Sequence, residues 1–124
     1  MPKQFIIAIV DDDRHVRLGL EDLIRSIGYA AISFVSAEEF LRSGILYNGL
    51  CLICDMDLPG MSGADLQEVL LDDGHRIPMI FMGSADDARI RDRVMRKGAC
   101  GFLQKPFEER LLLEYLERMT KKPR

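Results

Sequence analysis

Five short apolar segments alternate with five amphipathic ones along this chain of 124 residues. Each apolar segment is nearly continuous in aliphatic residues, methionine, phenylalanine and cysteine, which is typical of strands buried on both faces of a parallel sheet. The alternation predicts a doubly wound α/β fold, in which helices cover both faces of a five-stranded parallel sheet. The expected strands are residues 5–10, 29–34, 50–54, 78–82 and 101–104.

Capping residues set the helix boundaries that the sequence predicts. Ser36-Ala-Glu-Glu39 has the spacing of a capping box, and Ser62 is a second candidate N-cap. Gly28 and Gly98 each follow a helical segment, in the position of a C-terminal cap. The expected helices are residues 14–27, about 36–43, about 62–72, 85–97 and 107–119.

Composition bounds the classes of function. The chain has 17 Lys and Arg against 20 Asp and Glu, a net charge of −3, so electrostatics give no case for direct nucleic-acid binding by this domain. No apolar run is long enough to span a membrane, so we expect a cytoplasmic protein without a membrane partner. Cys51 and Cys54 have the C-x-x-C spacing, but they lie within an apolar strand, and we expect these two and Cys100 to be core thiols.

Three consecutive carboxylates, Asp11, Asp12 and Asp13, end the first apolar run. Two like charges about 4 Å apart repel by roughly 4 kcal/mol at an effective dielectric constant near 20, so a bound cation would relieve a real cost. In a flavodoxin-like sheet of order 2-1-3-4-5, strands one and three are neighbours, and Asp55 follows strand three. Asp11, Asp12 and Asp55 are therefore predicted to bind Mg²⁺ (or Mn²⁺), whereas Asp13 is expected to cap the first helix.

Lys105 follows the fifth strand in the sequence FLQKPF and should reach the same edge of the sheet. A Lys-Pro bond favours a turn and has a raised chance of the cis form, which would fix where the lysine points. A nucleophilic aspartate, a metal pocket and a lysine are the groups needed to form and hold an aspartyl phosphate.

The segments IVDDD, ICDMDLPGMSG and FLQKPF, in this order, resemble the receiver domain of two-component response regulators. The resemblance implies a receiver domain over residues 1–120, followed by 121–124 as a basic tail or the start of a linker. It implies that Asp55 accepts a phosphoryl group from a histidine kinase or phosphotransfer protein, and that the domain assists this reaction without being an enzyme. The sequence looks most similar to receivers that precede a helix-turn-helix output domain, and so suggests transcription regulation.

Individual roles also follow from the resemblance. It implies that Asp11 and Asp12 hold the metal together with Asp55 and the backbone carbonyl of Asp57. Lys105 would contact the phosphoryl oxygens.

The switch region departs from the family pattern. Phe102 matches the family's aromatic switch position, but the family usually places Thr or Ser where this chain has Gly83, and Ser84 comes one position late. Side chains alternate along a strand, so we expect Ser84 to face away from the site and phosphorylation to be weakly coupled to conformational change. Gly83 could instead let the backbone turn Ser84 inward.

The fourth helix is basic and the fifth is acidic, which suggests a two-fold homodimer in which helix four meets helix five of a second copy. Leu113 is expected to lie off the core stripe of helix five and to add apolar contact. The candidate interface residues are Arg89, Arg91, Arg93, Glu109, Leu113 and Glu117.

Two alternative functions are open at this point. Asp55-Met-Asp57 resembles the D-x-D motif of haloacid-dehalogenase-like phosphatases, although that motif normally follows the first strand and the chain leaves no room for a cap domain. The other alternative is a pseudo-receiver, a binding module with an impaired switch, and Gly83 is the residue that supports it.

Overall fold

The sheet is the frame that positions every candidate residue. The computed structural model of the chain describes residues 5–45 and 49–120, and the tail predicted at 121–124 lies outside them. Five parallel strands are hydrogen-bonded in the order β2-β1-β3-β4-β5, as the sequence predicts. These strands are β1 (Ile6–Val10), β2 (Ala30–Phe34), β3 (Leu50–Asp55), β4 (Met79–Gly83) and β5 (Gly101–Gln104).

Helices cover both faces of this sheet. They are α1 (Arg14–Ser26), α2 (Ala37–Ser43), α3 (Gly63–Asp72), α4 (Ala88–Arg96) and α5 (Glu109–Thr120). One core cluster joins the sheet to α1 and α5 through residues such as Ile24 and Leu116. The other joins it to α2, α3 and α4 through residues such as Phe40, Leu66 and Val94. All six residues of β3 are buried, because this central strand is covered on both faces.

The predicted caps form. Asp13 accepts hydrogen bonds from the backbone N–H groups of His15 and Val16 at the start of α1. Ser36 and Ser62 cap α2 and α3 in the same way. Gly28 follows α1 with a φ of 100°, a conformation that favours glycine.

The structure corrects the sequence-based boundaries at two helices. A 3₁₀ turn, Ala85–Asp87, precedes α4, so the α-helix begins later than expected. Helix α5 begins at Glu109 rather than at 107, with the preceding Phe107 packed against the core. Leu113 also packs against the core, so the expectation that it lies off the core stripe is wrong.

The cysteines are free thiols, as expected. Cys51 and Cys54 are buried in opposite core clusters because residues three apart in a strand point to opposite faces. Burial raises the pKa of the Cys51 thiol to about 12 and raises that of Cys54 as well. Within the described residues, no helix is long and apolar enough to cross a membrane.

Candidate functional site

The carboxyl ends of β1 and β3 bring three carboxylates together. Val10 and Cys54 are paired in neighbouring strands, so Asp11 and Asp55 follow at the same edge of the sheet. Asp11, Asp12 and Asp55 can each offer one oxygen so that all three oxygens lie within 4.8 Å of one another. The predicted acidic cluster is therefore present.

Asp11 is completely buried, yet only one of its oxygens has a hydrogen-bond partner. Its Oδ1 accepts the N–H of Asp13 at 2.8 Å, whereas Oδ2 accepts no hydrogen bond. Burial raises the pKa of this carboxyl group, and the charge of Asp55 adds to the effect. The guanidinium of Arg17 donates to the backbone carbonyl of Asp11 at 2.8 Å and so holds the segment in place.

Asp55 is the last residue of β3 and is only 5% exposed. Its Oδ1 accepts the N–H of Asp57 at 3.3 Å. Helix α3 starts directly beneath this turn, because a Cβ atom at Gly63 would lie 2.6 Å from the Asp55 carbonyl oxygen. Glycine at 63 is therefore required for this close approach.

Lys105 completes the site from the end of β5. Its Nζ lies 3.3 Å from Oδ2 of Asp55 and 3.7 Å from Oδ2 of Asp11. Desolvation lowers the pKa of the Lys105 ammonium group, but the attraction of Asp55 and Asp11 outweighs it, so the pKa is raised. The Lys105–Pro106 peptide bond is cis, and the N–H of Lys105 donates to the Gly83 carbonyl at 2.8 Å.

The loop between β3 and α3 is held by a residue of another helix. Glu38, on α2, accepts the N–H of Met61 at 2.8 Å. Asp57 is exposed in this loop, as are Pro59 and Gly60. Partial desolvation raises the pKa of its carboxyl group, and the neighbouring charges of Asp87 and Asp55 raise it further.

The predicted switch residues lie at the adjoining edge of the sheet. Phe102 is half-buried on β5, and the Arg91 guanidinium carbon lies 6.0 Å from the centre of its ring. Ser84 is exposed, and its hydroxyl donates to the Asp87 carboxylate at 3.3 Å. The Ser84 hydroxyl is thus engaged with Asp87, and the expectation that it faces away from Asp55 stays a prediction.

Helices α4 and α5 lie on opposite sides of β5, the edge strand of the sheet. Arg89, Glu109 and Glu117 are exposed there. Arg93 instead pairs with Glu68 of α3, which also pairs with Lys97. Hydrogen bonds from Lys97 and then Arg93 lower the pKa of Glu68 to about 2.

An apolar groove opens beside Lys105 on the side of α1. Val16, Gly19 and Leu23 form one wall, and Pro106 and Phe107 form the other. Lys105, the lysine that contacts Asp55, is one of the residues that line this groove.

Arg17, Glu38 and Asp87 contribute to the site or its surroundings and are absent from the sequence-based set. Arg17 and Glu38 act through backbone groups of distant segments, which no local pattern reveals. Asp87 did carry a signal, since Ser84-Ala-Asp-Asp87 has the spacing of a residue pair that caps a helix start.

Comparison with known proteins identifies the family. The model of the response regulator receiver domain matches residues 7–117. The chain belongs to this family. The receiver domain is a signalling module, as the acidic cluster and lysine suggested, and the haloacid-dehalogenase and pseudo-receiver alternatives are not favoured.

Relatives of this receiver domain are regulators. It is 38% identical to nodulation protein W of Bradyrhizobium diazoefficiens, over 96% of this chain and 52% of that protein. It is 42% identical to response regulator protein TmoT of Ectopseudomonas mendocina, over 90% of this chain and 50% of that protein. The chain therefore spans about half the length of these curated relatives.

A solved structure of isolated FixJ-N superposes on this receiver domain with a TM-score of 0.88 at 31% identity, covering 99% of this chain and 98% of that one. The response regulator StyR gives the same TM-score at 40% identity, covering 95% of this chain and 60% of that one.

Proposed function

We propose that this receiver domain accepts a phosphoryl group on Asp55 from a histidine kinase or a histidine phosphotransfer protein. The observation that carries the proposal is the position of Lys105, whose ammonium group lies 3.3 Å from Asp55 and 3.7 Å from Asp11. A carboxylate at the rim of a sheet, beside a lysine and two further carboxylates, is arranged for nucleophilic attack on phosphorus.

The acidic cluster fits a hard divalent cation, and we assign Mg²⁺ (or Mn²⁺) to it. Oδ2 of Asp11 is buried without a hydrogen-bond partner, so this oxygen is available as a ligand for a cation. Asp12, Asp55 and the backbone carbonyl of Asp57 would supply the remaining protein ligands. When bound, the ion supplies charge neutralisation and orientation for a phosphoryl group.

The chemistry assigned to the chain is a single transfer. A carboxylate oxygen of Asp55 forms a bond to phosphorus as the bond between phosphorus and the donor's histidine nitrogen breaks. Lys105 offsets negative charge on the transferred group. The domain promotes its own phosphorylation and later hydrolysis and turns over no separate substrate, so we class it as a phosphoacceptor rather than an enzyme.

The donor protein is proposed to dock on the apolar groove between α1 and Pro106-Phe107. A histidine side chain must reach Asp55 in line, so the donor must cover the rim of the site. The groove supplies apolar contact next to Lys105.

The output of the signal is proposed from the relatives, two of which are transcriptional regulatory proteins named FixJ. Since the matched segment covers only 54% and 57% of these relatives, a helix-turn-helix output region working with this domain is part of the proposal. The receiver domain itself is not assigned contact with nucleic acid, in keeping with its net charge of −3.

Mass measurement after incubation with acetyl phosphate and Mg²⁺ tests the assignment. The wild-type chain should gain the mass of one phosphoryl group, and Asp55→Asn should gain none. Asp57→Asn is the matched control, because it removes a neighbouring carboxylate by the same change, and it should still be labelled. Equal labelling of wild type and Asp55→Asn would overturn the proposal.

A further inference from the structure

The space beside Gly83 is already filled. A Cβ atom built at this glycine would lie 2.7 Å from Cζ of Phe102, 2.8 Å from Oδ2 of Asp87 and 3.2 Å from Cγ of Met56. Two of these distances are below 3.0 Å, so the ring and the carboxylate would have to shift to admit a Cβ atom. The room that a threonine or serine side chain would need at 83 is therefore taken by an aromatic ring and a carboxylate.

Asp87 is held in that position by the turn that precedes α4. Its Oδ2 accepts the backbone N–H of Ser84 at 2.9 Å and the Ser84 hydroxyl at 3.3 Å. The backbone N–H of Asp87 in turn donates to the Ser84 carbonyl at 3.2 Å. Because Ser84 directly follows β4, these bonds fix the carboxylate at the edge of the sheet that carries Asp55.

The turn that holds Asp87 lies next to the acidic site. Met82, the residue before Gly83, is paired with Asp55 in the neighbouring strand, and the Gly83 carbonyl accepts the backbone N–H of Lys105 at 2.8 Å. Asp57 donates its backbone N–H to Asp55. A negative group added to Asp55 would therefore bring like charge to the edge of the sheet where the Asp87 carboxylate is held beside Gly83.

We propose that Asp87 is the switch residue of this chain and works by repulsion, in the place where a hydroxyl at position 83 would work by attraction. This inference rests on phosphorylation of Asp55. A phosphoryl group brings a charge of about −1.5 to −2, which disfavours a fixed carboxylate nearby. Asp87 then leaves Gly83 and its bonds to Ser84, the turn Ala85–Asp87 loosens, and the Phe102 ring gains the space that the carboxylate gives up.

The arrangement also assigns a role to Ser84. Its hydroxyl donates to Asp87 and holds the resting position, so it does not stand in for the missing hydroxyl of residue 83. With Asp87 as the switch residue, Gly83 no longer implies that phosphorylation is weakly coupled to conformational change.

Amide hydrogen exchange over residues 84–96, with and without acetyl phosphate and Mg²⁺, tests the inference. In wild type, phosphorylation should speed exchange in the turn and the first part of α4 by about tenfold, equivalent to about 1.4 kcal/mol. Asp87→Asn keeps an oxygen that can accept from Ser84 but removes the charge. It should be labelled as fully as wild type and show little change in exchange.

Asp86→Asn is the matched control, because Asp86 is an exposed carboxylate one residue away that lacks the contact with Gly83. It should respond as wild type does. The inference is overturned if Asp87→Asn responds like wild type, if Asp86→Asn loses the response too, or if unphosphorylated Asp87→Asn already exchanges fast, which would make Asp87 a helix cap only. If wild type is phosphorylated but its amide exchange does not change, this inference alone is overturned. If wild type is not phosphorylated at all, the proposed function is contradicted as well.

Discussion

Asp11 is a carboxylate that the fold buries completely without satisfying both of its oxygens. Lys105 stands 3.7 Å from the unpaired oxygen, which is too far for a hydrogen bond, and Asp55 adds a like charge nearby. A buried polar atom without a partner costs about 1–3 kcal/mol. The metal-free receiver domain is thus destabilised at the place where it is proposed to bind a cation.

Asp11→Asn should make the metal-free protein more stable at neutral pH by about 1 kcal/mol, the lower end of that cost. The Asp11 pKa is raised in the folded state, so its ionised form opposes folding. The gain should be absent below the ordinary pKa of 3.8, where both side chains are neutral, and should grow as the pH rises through the raised value. Urea denaturation of both proteins in a chelator, at several pH values, measures it.

Adding Mg²⁺ should reverse the order of the two proteins. A ligand at a hundred times its dissociation constant stabilises the folded state by about 2.7 kcal/mol, and only wild type should show the full effect. Asp12→Asn, at an exposed carboxylate of the same cluster, should also lose most of the Mg²⁺ effect, but without stabilising the metal-free form. If millimolar Mg²⁺ does not change the melting temperature of wild type, the acidic cluster is not a metal site.

At the scale of elements, α3 and α4 are joined through Glu68, which pairs with both Lys97 and Arg93. The pKa of Glu68 is lowered to about 2, so these pairs stabilise the fold above the ordinary value of 4.5 and lose their effect as the pH falls towards 2. Glu68→Gln should lower the melting temperature slightly at neutral pH, with a difference that shrinks in acid and in high salt, since exposed pairs are screened. Asp72→Asn, at an exposed carboxylate of the same helix, should show no such loss; a loss equal to that of Glu68→Gln would argue against the pairing.

Helix α1 offers a test of the docking groove. A Cβ atom at Gly19 would meet nothing within 4 Å, and arginine is a better helix former than glycine, so Gly19→Arg should fold. Its side chain would stand in the groove and should slow phosphoryl transfer from a phosphorylated histidine phosphotransfer domain by tenfold or more, if docking loses about 1.4 kcal/mol. Labelling by acetyl phosphate should be unchanged. Leu18→Arg, at an exposed neighbour that does not line the groove, is the control; equal slowing by both would place the donor elsewhere.

The elements themselves could be predicted from sequence because their signals are local. The apolar run of β3 and the caps at Asp13 and Ser62 act over a few residues, and the structure confirms them. The start of α4 could not be predicted as well, because Asp87 and Ser84 form a turn whose position depends on the space at Gly83. The prediction that Leu113 lies off the core stripe was wrong for a similar reason, because its contact with the core depends on how α5 is rotated against β5.

At the scale of the whole molecule, the carboxyl edge of the sheet explains why the candidate site was predictable. Parallel strands place their ends at one edge, so Asp11, Asp55 and Lys105 had to meet once the strand order was known. What lies around them depends on side chains from other layers, and that is why Arg17 and Glu38 were missed.

The surface around β5 is the part of the molecule through which the state of the site could reach a second copy. The Arg91 guanidinium carbon lies 6.0 Å from the centre of the Phe102 ring, and Phe102 and Asp87 both border the space beside Gly83, so these residues connect the end of β4 with α4. Apolar residues are also exposed on these two helices. They are Ile90, Met95 and Leu111.

Dimerisation by α4 against α5 of a second copy stays a prediction, and the structure sharpens its test. Arg93 already pairs with Glu68. Among the described residues of the predicted interface, Arg89 is the exposed basic residue of α4 that has no such pair, so its charge is the one to reverse. Arg89→Glu should lower the dimer fraction of the phosphorylated protein in light scattering, and Glu117→Arg in the same chain should restore it, because a two-fold contact repeats each pair. Rising salt should weaken the wild-type dimer. Arg42→Glu, on α2 near β2 at the opposite edge of the sheet, should have no effect. A dimer fraction that Arg89→Glu leaves unchanged would assign the interface to another surface.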